Sequence, residues 1–128
     1  MAEQHTVKAF DTEISRLRGL ISEMGGLAEV AITKAIDALI NQNQDLALQV
    51  VAGDAQIDAL EAEVDELAIR IIALRSPMAN DLRDVVAALK IGGVVERIGD
   101  YAKNIAKRVE KVESHKQLEP LTLIKVMD

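Results

Sequence analysis

The fold this sequence predicts is all-α: an antiparallel, up-down-up bundle of three long helices. Three observations predict it. Apolar residues recur at intervals of three and four along almost the whole chain, the spacing that lines one face of a helix. Turn chemistry interrupts that rhythm at two places, Asn41-Gln42-Asn43 and Ser76-Pro77. No stretch alternates apolar and polar residues with the period of two that a half-buried strand requires. Long helices joined by short links run antiparallel.

The first stripe is Phe10, Ile14, Leu17, Ile21, Met24, Ala28, Ala31 and Ala35, and its helix should end near Ile40. Gly25-Gly26 lies inside it. Each glycine costs about 1 kcal/mol relative to alanine in a helix interior, so the pair marks either close helix packing or a local break. The second stripe is Val50, Ile57, Leu60, Val64, Leu67, Ile71 and Leu74, stopping at Ser76-Pro77. Serine is a favoured helix cap, and proline is tolerated at the first helical position, where its missing N–H does no harm. A third helix should therefore start there and run to about Ser114, with Pro120 as a new boundary. Val7-Lys8-Ala9-Phe10-Asp11 shares its pattern with Ile124-Lys125-Val126-Met127-Asp128. The expected organisation is a bundle over 1–116 and the truncated start of a second repeat over 117–128.

The length, 128 residues, fits one domain, and 49% hydrophobic residues suffice for a continuous core. Aromatics are only Phe10 and Tyr101, so Ala, Leu, Ile and Val must fill the interior. A net charge of −6 opposes a nucleic-acid role and direct binding to anionic lipid, both of which need a basic face. The absence of cysteine excludes disulfides, thiolate nucleophiles and thiolate metal sites. No signal-peptide pattern and no apolar run of membrane length is visible, which makes a cytoplasmic protein the expectation.

The acidic residues are patterned. Asp54, Asp58, Glu61 and Asp65 are spaced by four, three and four, which places them within an arc of roughly 60° on the second helix. That arc lies about 110° from the apolar stripe, so it should flank the core, and it spans about 16 Å along the axis. In the third helix one face changes character. Leu82, Val85, Val86 and Leu89 lead through Gly92-Gly93 to Glu96, Asp100 and Asn104, while Ile91, Val94, Val95, Ile98, Ala102 and Ile105 form an apolar stripe on nearly the opposite side. The close pairs Asp54/Asp58, Asp58/Glu61, Glu61/Asp65 and Glu96/Asp100 together cost about 1–2 kcal/mol if uncompensated. A bundle of this size absorbs that, and Arg97 and Lys103 could offset part of it. Two readings stand side by side: a solvated acidic face, or a site of hard oxygen ligands suited to Mg²⁺, Ca²⁺, Mn²⁺ or iron better than to a structural zinc.

The segment Arg75-Ser76-Pro77-Met78-Ala79-Asn80-Asp81-Leu82-Arg83, followed by Glu96-Arg97-Ile98-Gly99-Asp100, resembles the PhoU family of phosphate-uptake regulators. So does Asp54-Ala55-Gln56-Ile57-Asp58-Ala59-Leu60-Glu61 with Val64-Asp65 after it. The resemblance implies a non-enzymatic regulator of phosphate uptake and of the phosphate-starvation response, in a family of two tandem three-helix bundles. Such a protein would dock to the phosphate ABC transporter ATPase and a sensor histidine kinase at the inner membrane face. Some members bind metal clusters through paired (Glu/Asp)-x-x-x-Asp motifs, which here fall on Asp54/Asp58 and Glu96/Asp100. The resemblance therefore favours a metal site formed by Asp54, Asp58, Glu61, Glu96 and Asp100, with Asp65 and Asn104 as further members of the acidic face. The ion would be iron, zinc, manganese or magnesium.

Other residues offer less. His5 and His115 lie near the helical ends, outside any Glu-x-x-His motif of a ferritin-like di-iron enzyme. No Ser or Thr lies near a His–acid constellation, and Gly92-Gly93 lacks the strand and lysine of a phosphate loop. The rival to the regulator is a helical oligomerisation or scaffold domain with solvated stripes. Either way, a lone half-protein is expected to pair with itself as an isologous homodimer.

Overall fold

The computed structural model describes the backbone of residues 2–127 and the side chains of residues 8–111. Its elements are α1 (Ala2–Asn41), α2 (Gln44–Arg75) and α3 (Ala79–Met127), each packed against the other two. The links are two tight reversals. α1 closes where Gln42 adopts a left-handed backbone (φ 52°), with Asn43 N–H donating back to the Ala38 carbonyl at 2.9 Å. Asn43 then caps α2, its side chain accepting from Leu46 N–H at 3.1 Å and removing one of the orphan donors of the first turn.

The second reversal corrects an expectation. Ser76 does not start the third helix. It ends α2 in a left-handed conformation (φ 44°, ψ 58°), and α3 begins at Ala79, with Leu82 N–H bonded to the Met78 carbonyl at 2.8 Å. An antiparallel reversal in so few residues needs one residue with positive φ, and Ser76 is spent on it. Nor does the helix stop near Ser114: α3 continues through Pro120 to Met127. Val7 of the first repeat segment, the whole of the second segment (124–128), the histidines His5 and His115, and the division at 116/117 lie outside the described side chains.

The interior forms two clusters along the bundle. One is built from large side chains: Leu17, Leu20 and Met24 of α1, Ile57, Leu60, Val64 and Ile71 of α2, and Val85 of α3. Each such side chain contributes about 1.5–3 kcal/mol on full burial. The other consists mainly of alanine: Ala35, Ala38, Ala47, Ala102 and Ala106, with Val50 and Val109. Gly25 and Gly26 sit in unbroken helix, and a Cβ at either would meet nothing within 4 Å, so they mark neither close packing nor a break.

The buried face of α3 is the second correction. It runs Val85, Ala88, Gly92, Gly99, Ala102, Ala106 and Val109. Half of the expected apolar stripe is in solvent: Ile91 is 48% exposed, Val94 54% and Ile98 37%, whereas Ala102 is buried and Val95 and Ile105 are partly buried against the core. Leu82 and Val86 of the other expected apolar face are also exposed. Small residues won the interior because they let helix backbones approach, which branched side chains on the neighbouring face would prevent.

Candidate metal centre

Five of the predicted ligands converge where α2 crosses α3. Carboxylate oxygens of Asp54, Asp58 and Asp100 lie within 4.8 Å of one another, and so do those of Asp58, Glu61 and Glu96. Asp58 belongs to both triads, so the cluster is two overlapping sites. Two oxygens bound to one cation at about 2.0–2.6 Å stand up to about 4–5 Å apart, so each triad has the span of a single ion's ligand set. Asp65 and Asn104 are exposed and belong to neither triad.

The geometry arises locally. Spacings of four and three on α2 bring Asp54, Asp58 and Glu61 to the edge facing α3, and a spacing of four does the same for Glu96 and Asp100. Gly99 lets the two backbones meet. A Cβ there would lie 3.2 Å from Ile57 Cδ1 and 3.4 Å from Asp54 Oδ1. Gly92, one turn-pair earlier, faces Ile21 and Val64 at 3.5 Å.

Asp54 departs from the expected flanking position. It stands in the core row of α2 between Val50 and Ile57 and is only 3% exposed, the sole buried charged residue among those described. Neither of its side-chain oxygens has a hydrogen-bond donor. Its one counter-charge is Lys103 Nζ, 3.4 Å from Oδ2, an ion pair without hydrogen-bond geometry. A carboxylate taken out of water needs a cation or a set of donors beside it. Sequence spacing failed to find this because an aspartate in an apolar row looks like a neighbour of the stripe. Gly99 and Lys103 were legible only as a motif letter and a charge offset.

The electrostatics are those of crowded acids. Desolvation between the helices, then Asp54 and Asp100, raise Asp58 from its ordinary value, with Lys103 opposing. Desolvation followed by Asp65, Asp58 and Asp100 raises Glu61. Glu96 is pushed up to about 7, chiefly by its side-chain hydrogen bond to Asp100, then by desolvation and by the charges of Asp100, Glu61 and Asp58. Near neutral pH Glu96 therefore retains a proton part of the time, which a cation bound at its carboxylate would displace. An all-oxygen donor set holding an under-compensated buried carboxylate fits a hard divalent ion.

Residues 21–109, which include every carboxylate of the cluster and Lys103, match the PhoU domain family. The chain belongs to the PhoU family. It is 54% identical over 123 residues to the "Phosphate-specific transport system accessory protein PhoU homolog" of Zymomonas mobilis, covering 96% of this chain and 52% of that protein. The PhoU homolog of Caulobacter vibrioides is 49% identical over 105 residues (82% of this chain, 46% of that protein). That of Rhizobium meliloti is 44% identical over 109 residues (85% and 46%). The PhoU domain described here thus spans about half the length of the curated relatives it matches. Among its described residues no helix is long and apolar enough to cross a membrane.

Proposed function

We propose that this PhoU domain is a non-enzymatic module regulating phosphate uptake and the phosphate-starvation response, and that its α2–α3 face binds a divalent or iron cation. Its relatives are named as accessory proteins of phosphate-specific transport. The observation that carries the cation is Asp54, buried at 3% exposure with no hydrogen-bond donor, in one of two carboxylate triads that share Asp58. Asp54, Asp58 and Asp100 would hold one ion, and Asp58, Glu61 and Glu96 a second or a bridging one. The ion would supply positive charge that binds the crossing of α2 and α3 together. The domain itself makes and breaks no bond.

Regulation then proceeds by docking, on the transporter's ATPase and on a sensor histidine kinase, at the cytoplasmic face of the membrane. A second observation favours self-association as well. Ile91, Val94, Ile98 and Tyr101 form an exposed row on α3 away from the acidic edge, with Tyr101 58% exposed. An apolar row of this kind is unusual on a bundle that works alone.

Calorimetric titration with Mn²⁺, Fe²⁺, Zn²⁺ and Mg²⁺ tests the cation site, using the parent beside a Glu96→Gln/Asp100→Asn double variant. Binding by the parent and not by the folded variant is expected, and equal binding by both would remove the site. Capture of the transporter's purified ATPase, with metal or with chelator, tests the docking. Metal-dependent capture is expected, and no capture in either condition would overturn it. Light scattering across a concentration series tests the homodimer, with a strict monomer as the contrary result.

A further inference from the structure

We propose that Lys103 is a built-in counter-cation of this site, holding the place a divalent ion would take and leaving it when the ion binds. This rests on the cation-site reading and goes beyond it by naming the group with which the ion competes. Lys103 Nζ lies 3.4 Å from Asp54 Oδ2, and Lys103 also stabilises the charge on Asp58. It therefore contacts one carboxylate of the Asp54, Asp58 and Asp100 triad and acts electrostatically on a second. Its side chain is 33% exposed while its partner is 3% exposed, so the ammonium approaches from the solvent side of a buried acid. A lysine ammonium is a compact charge on a flexible four-carbon stem, able to withdraw into water without moving the helix.

Asp54 gains no hydrogen bond from Lys103, so the pair neutralises charge without satisfying the carboxylate's acceptors. A lysine present only to build the structure would be expected to donate to that carboxylate. One serving as an exchangeable counter-ion need not. Placement on α3 three residues after Asp100 also matters. The ammonium shares a helical edge with a ligand of the triad, so it and a divalent ion at the three carboxylates would be like charges within a few ångströms. Their repulsion in a partly desolvated setting is large, and one of them must leave.

The consequence is a fixed exchange. Without metal, Lys103 holds α2 and α3 together against carboxylate repulsion. With metal, the ion does so, and the ammonium swings into solvent. Removing the lysine's charge should therefore do two opposite things: weaken the metal-free bundle and tighten the ion.

The test is calorimetric titration of Mn²⁺ into the parent, Lys103→Met and Lys103→Arg, with melting curves of each in chelator and in saturating Mn²⁺. Methionine keeps most of the stem and removes the charge, and a position one-third exposed tolerates it. Lys103→Met is expected to bind Mn²⁺ about tenfold tighter than the parent and to melt lower only in chelator. Lys103→Arg should bind no tighter than the parent. If the parent binds Mn²⁺ and Lys103→Met binds it equally or more weakly, the exchange is overturned while the carboxylate site stands. If no form binds Mn²⁺, the cation site fails and the exchange fails with it.

Discussion

The two ends of the bundle are packed by different means. One end relies on bulk, with Leu17, Met24, Ile57, Ile71 and Val85 filling the space between helices. The other relies on closeness, with Ala35, Ala38, Ala47, Ala102 and Ala106 letting the backbones approach. Asp54 stands at the join, between Val50 of the alanine cluster and Ile57 of the bulky one. Gly99 fits against Ile57 and Asp54 at the same level. The comparison teaches where such a fold can hold an acidic site. Bulky packing alone would keep α2 and α3 too far apart for five carboxylates to meet. Alanine packing alone would leave little burial to offset their repulsion. The site lies where one regime gives way to the other.

The largest test of this contrast is truncation at the bulky end. Met24→Ala, at a fully buried position, should cost about 2–5 kcal/mol in urea unfolding, because it removes transfer energy and leaves a cavity. Ala35→Gly, at an equally buried position of the other end, should cost only about 1 kcal/mol, the helix-propensity difference. Equal losses would mean that the two ends are held alike.

The converse experiment adds volume. Ala106→Leu should destabilise by about 1–3 kcal/mol, since the added volume enters a fully buried position. It should also spread α2 from α3 and weaken Mn²⁺ binding, although Ala106 is not one of the ligands. Unchanged Mn²⁺ affinity in the destabilised variant would separate the alanine packing from the site.

Smaller effects arise at the join itself. Asp54→Asn keeps the shape, removes a buried charge and one i,i+4 repulsion with Asp58, and leaves Lys103 able to turn into solvent. The metal-free domain should gain about 1 kcal/mol and lose its Mn²⁺ site. A loss of stability would show that Asp54 serves the fold before any ion.

The pH dependence carries a definite sign. Glu96 has its folded pKa raised to about 7, above the ordinary value of 4.5 that it has in the unfolded chain. Its contribution is fully present below about pH 4.5 and is lost as pH rises to about 7, because the unfolded chain releases the proton first. Chelated protein should therefore weaken over that window, and Glu96→Gln should flatten the slope and add about 0.2–0.5 kcal/mol at neutral pH. Saturating Mn²⁺ should oppose the loss, since the ion binds the deprotonated ligands. A flat pH profile in the parent would contradict the raised pKa of Glu96.

Much of this was legible in the sequence. The three helices and both links follow from apolar spacing and turn residues. The five carboxylates that form the triads are the five picked out by spacing and resemblance. The buried face of α3 was not legible, because hydropathy ranks Ile91, Val94 and Ile98 above Gly92, Gly99 and Ala106, whereas helix approach ranks them the other way. The depth of Asp54 was hidden for the same reason. Helical periodicity places a residue to within a few tens of degrees, and the helix crossing decides whether that direction meets solvent or a neighbour's backbone. Ser76 misled because a serine before proline suits both the end of one helix and the start of the next.

The most direct test of the central claim is a map of where a cation sits. Mn²⁺ added at substoichiometric levels to isotopically labelled domain broadens nearby amide resonances. Broadening centred on Asp54, Asp58, Glu61, Glu96 and Asp100 is the expected result. Broadening spread over isolated acids such as Glu23, Asp37 and Glu63, with none at Asp54, would contradict it and return the stripes to a solvated acidic face.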